Sequence, residues 1–129
     1  MNDFGDIKDS GSRTQFESGA QRDIQIGKGR PSLVSPMVMR RLAQHMENGS
    51  IKYEERNWEK GMPLSQYYDS ANRHLQDLLE GKTDEDHALA AFWNLHCFIH
   101  TRIMIARELL PAELDDMPDY TMEEDDVPD

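Results

Sequence analysis

The chain has 129 residues, 37% hydrophobic and 30% charged, with one cysteine and a net charge of −11. That length suits one domain with one core. Cys97 alone excludes an intrachain disulfide framework, and no apolar run approaches the roughly 20 residues that cross a membrane. Met1-Asn2-Asp3-Phe4 has neither the basic nor the apolar region of a signal peptide, so a soluble cytoplasmic protein is expected. Nine acids and no Lys or Arg fall in residues 111–129, leaving −2 for residues 1–110. The acidic tail argues against a broad duplex-binding surface, which depends on phosphate neutralisation. It leaves room for a small anion pocket in the body.

Residues 1–20 are rich in Gly, Ser, Asp and Thr without an apolar period, and are expected to be a flexible N-terminal segment. Residues 21–110 are expected to form the helical domain. They open with irregular chain holding Gly27-Lys28-Gly29-Arg30. Ser35-Pro36 is a helix start, with Ser at the cap and Pro in the first turn. Met37, Met39, Leu42, Ala43 and Met46 give an apolar stripe, and Gly49 a stop, so a first helix is predicted over about 36–48. A polar connection carries Trp58 to Gly61-Met62-Pro63. A second helix is predicted from about Leu64 to Glu80, its buried stripe formed by Leu64, Tyr67, Tyr68, Ala71, Leu75, Leu78 and Leu79. The third is predicted to be capped by Thr83, with Asp86 completing a box-like arrangement, and to continue to Leu110 before Pro111. Between Ala88 and Ile99 it is apolar on nearly every face, as expected of a central helix packed on several sides, in part by another subunit. Residues 111–129 are expected to be a disordered acidic tail. No strand alternation is evident. The expectation is an all-α bundle of three main helices, completed by oligomerisation as a dimer or tetramer.

The polar residues between Lys52 and Asn94 are the candidates for chemistry, because such groups are costly to bury unless paired or bound to metal. Glu55 and Glu59 share a face if helical, where they either ligate a hard cation or form a solvated face with Lys52, Arg56 and Lys60. Asp69 and Arg73 are spaced as a surface ion pair. His74 reads equally as a buried structural histidine and as a ligand or proton carrier. Asp84, Glu85 and Asp86 suit the first turn of a helix whose dipole they complement. His87 and Asn94 share a face, and a buried Asn94 needs hydrogen-bond partners, from substrate or from a neighbouring helix. His96 and His100, four apart, lack an obvious third ligand and read as exposed-face histidines. Cys97 reads as a small core residue. Gly27-Lys28-Gly29-Arg30 could grip phosphate but lacks P-loop spacing. Tyr53 and Trp58 suit either base stacking or packing.

Taken in order, several of these runs resemble the phage dATP/dGTP diphosphohydrolase family, which is associated with the MazG-like nucleotide pyrophosphohydrolases. They are Arg22-Asp23, Gly27-Lys28-Gly29-Arg30, Lys52-Tyr53, Arg56-Asn57-Trp58-Glu59-Lys60-Gly61, Asp69-Ser70-Ala71, Arg73-His74, Asp84-Glu85-Asp86-His87 and Trp93-Asn94. The resemblance covers about residues 18–105. It implies a metal-dependent all-α enzyme that cleaves dGTP or dATP between the α- and β-phosphates, releasing the monophosphate and pyrophosphate. In some phages the dGMP supplies 2-aminoadenine nucleotide synthesis, which would place the enzyme in the host cytoplasm.

Within the matching motifs, Glu55, Glu59, Glu85 and Asp86, with Asp69, are the expected ligands of Mg²⁺, Mn²⁺ or Co²⁺. Glu55 or His74 is the expected proton acceptor. Lys28, Arg30, Lys52 and Arg73 are expected on phosphates. Asn57, Trp58 and Asn94 are expected on base or sugar, with His87 also at the substrate. The chain departs from the general MazG-like pattern of EExxE and ExxD. Glu59 falls one residue late for the first motif. With Trp93 aligned to the usual aromatic, His87 and Ala90 occupy the acidic positions of the second. Two other readings use the same residues or the tail: a nucleotide-sequestering module without turnover, and a small protein whose acidic tail recruits a basic partner.

Overall fold

The computed structural model describes residues 7–121 and divides into two units, residues 1–35 and 36–129. In the first unit, β1 (Arg13–Gln15) pairs antiparallel with β2 (Gln21–Asp23), in the register Arg13↔Asp23, Thr14↔Arg22 and Gln15↔Gln21. This hairpin lies where no strand is expected. Three-residue strands are too short to show alternation, and polar contacts hold them. Asp23 accepts from the Lys28 ammonium at 2.8 Å and from the Ser10 hydroxyl and backbone N–H, and Arg13 lies 3.5 Å away. The Lys28 and Ser10 bonds hold the Asp23 carboxyl well below its ordinary range. Arg30 precedes a 3₁₀ turn at Pro31–Leu33.

The second unit is the helical bundle: α1 (Pro36–Lys52), α2 (Leu64–Leu79) and α3 (His87–Ala106). Each predicted helix is present, with instructive changes at the ends. α1 continues three residues past Gly49, which has no positive φ and so does not act as a stop. The cap of α3 is Asp86, whose side chain accepts from Leu89 N at 3.1 Å, so α3 begins at His87 and not near Thr83. Its last turn closes at Arg107 and Glu108, the latter with φ 60°, before Pro111 is reached. α2 begins after Pro63, which offers no side-chain acceptor. Asp116 replaces it from 51 residues away, accepting from Ser65 N at 2.9 Å and from the Ser65 hydroxyl.

α2 and α3 form an antiparallel hairpin whose core is Leu64, Tyr67 and Cys97. Trp58, Met62, Trp93, Phe98, Ile105 and Met117 pack around them. The predicted apolar stripes are only partly inward. Leu42 is the buried residue of α1, while Met37 and Met39 face solvent; Leu64, Tyr67 and Ala71 are buried on α2, while Leu79 is 82% exposed. The connection from α1 to α2 holds a 3₁₀ turn, Asn57–Lys60, and leaves it at Gly61 with φ 95° and ψ 139°, a conformation that favours glycine. A Cβ there would lie 2.8 Å from Leu114 and 3.3 Å from Leu110. A further 3₁₀ turn, Ala112–Leu114, therefore closes over Gly61, and Met117 reaches the core. No helix among the described residues is long and apolar enough to cross a membrane.

Candidate functional site

The tight turn between α2 and α3 brings three donors together. Gly81 takes φ 79°, and five residues of turn separate it from His87. On α2, His74 directs Nδ1 at His87 Nδ1, 3.0 Å away, and lies 3.7 Å from Glu85 Oε1. Donor atoms of His74, Glu85 and His87 all lie within 4.8 Å of one another. The side chain of His87 is 2% exposed, that of His74 21% and that of Glu85 53%. The group is thus anchored in the interior and open on one side.

The protonation logic follows from the fourth member. Asp84 Oδ1 lies 2.9 Å from His87 Nε2. The hydrogen bond with His87 holds the Asp84 carboxyl below its ordinary value, so it is an ionised acceptor. A neutral His87 therefore carries its proton on Nε2 and presents the Nδ1 lone pair to His74 and Glu85. A carboxylate behind an imidazole that itself faces other donors is the common outer support of a metal-bound histidine. Asp77 Oδ2 stands 3.9 Å from His87 Nδ1 on the same flank. Two imidazole nitrogens and a carboxylate oxygen, one imidazole fixed in tautomer, fit a divalent cation of the transition series.

An open cleft of about 1060 Å³, large enough for a small-molecule ligand, is lined by Arg73, the chain neighbour of His74, but not by His74, Glu85 or His87 themselves. Its cationic lining includes Lys52 and Arg73, its carboxylates Glu54 and Glu55, and its aromatic walls Tyr53, Trp58 and Trp93. Trp58 is fixed between His96 and His100, at centroid distances of 5.1 and 4.8 Å. Trp93 donates to Met46 Sδ and lies 5.4 Å from the His45 ring. His45 also lines the cleft, and burial holds its imidazole below the ordinary pKa. Glu85 and Asp86 oppose that shift and His74 adds to it, so His45 stands within electrostatic reach of the junction. Sequence reasoning does not single out His45; its three-residue spacing from buried Leu42 was the available signal.

The remaining expected residues separate cleanly. Glu55, Lys52, Asn57, Trp58, Arg73 and Asn94 line the cleft. Asn94 is 5% exposed and donates to the Ala90 carbonyl of its own helix at 2.9 Å. Glu59 is paired with Arg56, and Glu54 with Lys60. Asp86 caps α3 and pairs with Arg41 at 2.7 Å. Asp69 is exposed on α2. Lys28 and Arg30 belong to the first unit, where Lys28 pairs with Asp23. Among the five carboxylates expected as ligands, only Glu85 belongs to the converging group; His74 and His87 supply the other donors. His96 and His100 are half-buried against Trp58 instead of lying on an exposed face. Cys97 is fully buried, and burial pushes its thiol up to about 12, which rules out a ready nucleophile.

Against known proteins, the sequence model of the family described as "dATP/dGTP diphosphohydrolase, N-terminal" matches residues 18–109. No curated protein and no solved structure matches the chain.

Proposed function

The chain belongs to the dATP/dGTP diphosphohydrolase family, and from that membership we propose that it hydrolyses purine deoxynucleoside triphosphates to the monophosphate and pyrophosphate, using a divalent ion held by His74, Glu85 and His87. The observation that carries the reading is the convergence of those three donors in a helical unit that also holds a cleft with cationic and aromatic walls. Water attacks the α-phosphorus, the bond to the bridging oxygen breaks, and pyrophosphate leaves with that oxygen. A divalent ion supplies Lewis acidity and a lowered pKa for bound water. Lys52 and Arg73 face the triphosphate, whose charge they neutralise as it shifts onto the leaving group. Trp58, Tyr53 and Trp93 offer flat surfaces to the purine, and Asn57 and Asn94 offer amides to base or sugar. Glu55 and His45 are among the lining groups able to accept the proton of the water. Asp84 keeps His87 in its ligating tautomer.

The two nitrogen donors favour Mn²⁺ or Co²⁺ over Mg²⁺, which takes oxygen ligands. In an infected cell, the dGMP released in this way would supply 2-aminoadenine nucleotide synthesis. The test is chromatographic product analysis with each deoxynucleoside triphosphate, with Mg²⁺, Mn²⁺, Co²⁺ or chelator. The expected result is dGMP or dAMP with pyrophosphate, abolished by chelator and greatest with Mn²⁺ or Co²⁺. Unchanged triphosphates under every condition would reject the proposal.

A further inference from the structure

The turn that folds α3 back along α2 also aims a fifth polar side chain at the junction of His74, Asp84, Glu85 and His87. α2 ends in a Schellman motif. Gly81 N–H donates to the Leu78 carbonyl and Lys82 N–H to the Asp77 carbonyl, both at 3.1 Å, with Gly81 in the left-handed region at φ 79°. This closure lays Lys82 back over the last turn of its own helix. Its ammonium lies 3.0 Å from Asp77 Oδ1 and 3.3 Å from Glu80 Oε2. Lys82 thus engages Asp77 through one oxygen. The other, Oδ2, stands 3.9 Å from His87 Nδ1.

His74 and Asp77 are three apart on α2 and so share the face that meets His87. An imidazole as buried as His87 can address only what the fold sets around it. Asp84 holds its Nε2 side, while His74 and Asp77 flank Nδ1. Two atoms that share one transition-series ion at about 2.1 Å each lie no more than about 4.2 Å apart, and the Asp77–His87 separation is inside that limit. Asp77 is not among the three residues whose donor atoms fall within 4.8 Å of one another, so rotation of its partly exposed side chain completes the set. We propose that Asp77 is a fourth ligand of the divalent ion, its Oδ2 turning onto the ion from the His87 side while Lys82 keeps Oδ1. The inference rests on the reading of His74, Glu85 and His87 as ligands. It makes the donor set two imidazoles and two carboxylates, a mixture suited to Mn²⁺ or Co²⁺. Two carboxylates also balance the two charges of the ion, which Glu85 alone does not.

Titration of the full chain with Co²⁺, followed by calorimetry and by the visible absorption of the ion, tests it. Native protein should bind Co²⁺, and His87→Gln should lose that binding, as the three-donor reading requires. Asp77→Asn should keep its helical circular dichroism and bind Co²⁺ at least about tenfold more weakly, the least that even an outer partner of a metal site costs. It should also shift the visible spectrum, since a carboxylate ligand has been lost. Glu80→Gln removes the same charge from beside the same Lys82. It should change the affinity by less than about threefold, as an exposed pair does, and leave the spectrum native. The spectrum separates ligation from attraction between charges. An Asp77→Asn protein with the native spectrum, or one that binds no more weakly than Glu80→Gln, would overturn the fourth ligand and leave the three-donor site standing. Absence of Co²⁺ binding by native protein, or native binding by His87→Gln, would overturn that site and the inference with it.

Discussion

The α1–α2 connection and the α2–α3 turn look alike in sequence and behave differently in space. Both are short polar segments dense in carboxylates. In the first, the acids meet cations of the same segment, Glu54 with Lys60 and Glu59 with Arg56, and stay at the surface. In the second, Asp84 and Glu85 meet imidazoles, and one of those, His87, is buried. An exposed ion pair is satisfied and contributes little. A buried imidazole held in one tautomer is a constrained donor, and constraint is what a metal centre requires. The difference shows that acid density marks neither segment as a site. The partner and its burial do.

The largest test of that contrast is to remove one donor from each segment. His87→Gln, which keeps size and polarity, should lower metal-dependent dGMP release by at least about 100-fold, by loss of a ligand. Glu59→Gln should change it by less than about threefold, as expected of an exposed ion pair. Equal effects, measured by chromatography, would dissolve the distinction. Next in size is Asp84→Asn, which leaves every proposed ligand in place but no longer fixes the His87 tautomer. Metal affinity by calorimetry should fall by about 10- to 100-fold, the usual cost of losing an outer-shell partner, with turnover recovering as metal is added.

Smaller effects sharpen the structural side. Gly61→Ala should cost about 1–3 kcal/mol in urea unfolding, because its positive φ suits glycine and Leu110 and Leu114 close over it. Met117→Ala should unfold with it in the same direction, since both tie the chain after Pro111 to the core.

The smallest effect belongs to Asp86, which the structure makes a helix cap. Asp86→Ala should cost about 1 kcal/mol at neutral pH, chiefly through the bond from Leu89 N. That bond and Arg41 hold the Asp86 carboxyl below its ordinary 3.8. Its stabilisation is therefore fully present above the unfolded value and is lost as pH falls through the lower folded value. Melting curves of native protein and variant should converge in strong acid. A gap that persists there would mean that the cap is not carried by the charged form.

Much of the architecture was already legible in the sequence. The three helices follow from apolar spacing and from Pro36 and Gly81, because helix period and backbone restrictions are local properties, although α3 ends at Ala106, before the expected stop at Pro111. The order of the short polar motifs led to the family, and Cys97 read correctly as core from its apolar neighbours. Other features depend on residues distant in the chain. Asp116 caps α2 from 51 residues away, which no local pattern announces. His74 and His87 face each other only because the Gly81 turn folds α3 back along α2. His45 reaches the cleft only through the placement of α1. The sequence also showed α3 apolar on nearly every face, but not which side the fold would bury. Periodicity records that a helix has a face; what lies against that face is a property of packing, and packing assigned Glu59 and Asp86 to local ion pairing and capping while drawing His74, Glu85 and His87 together.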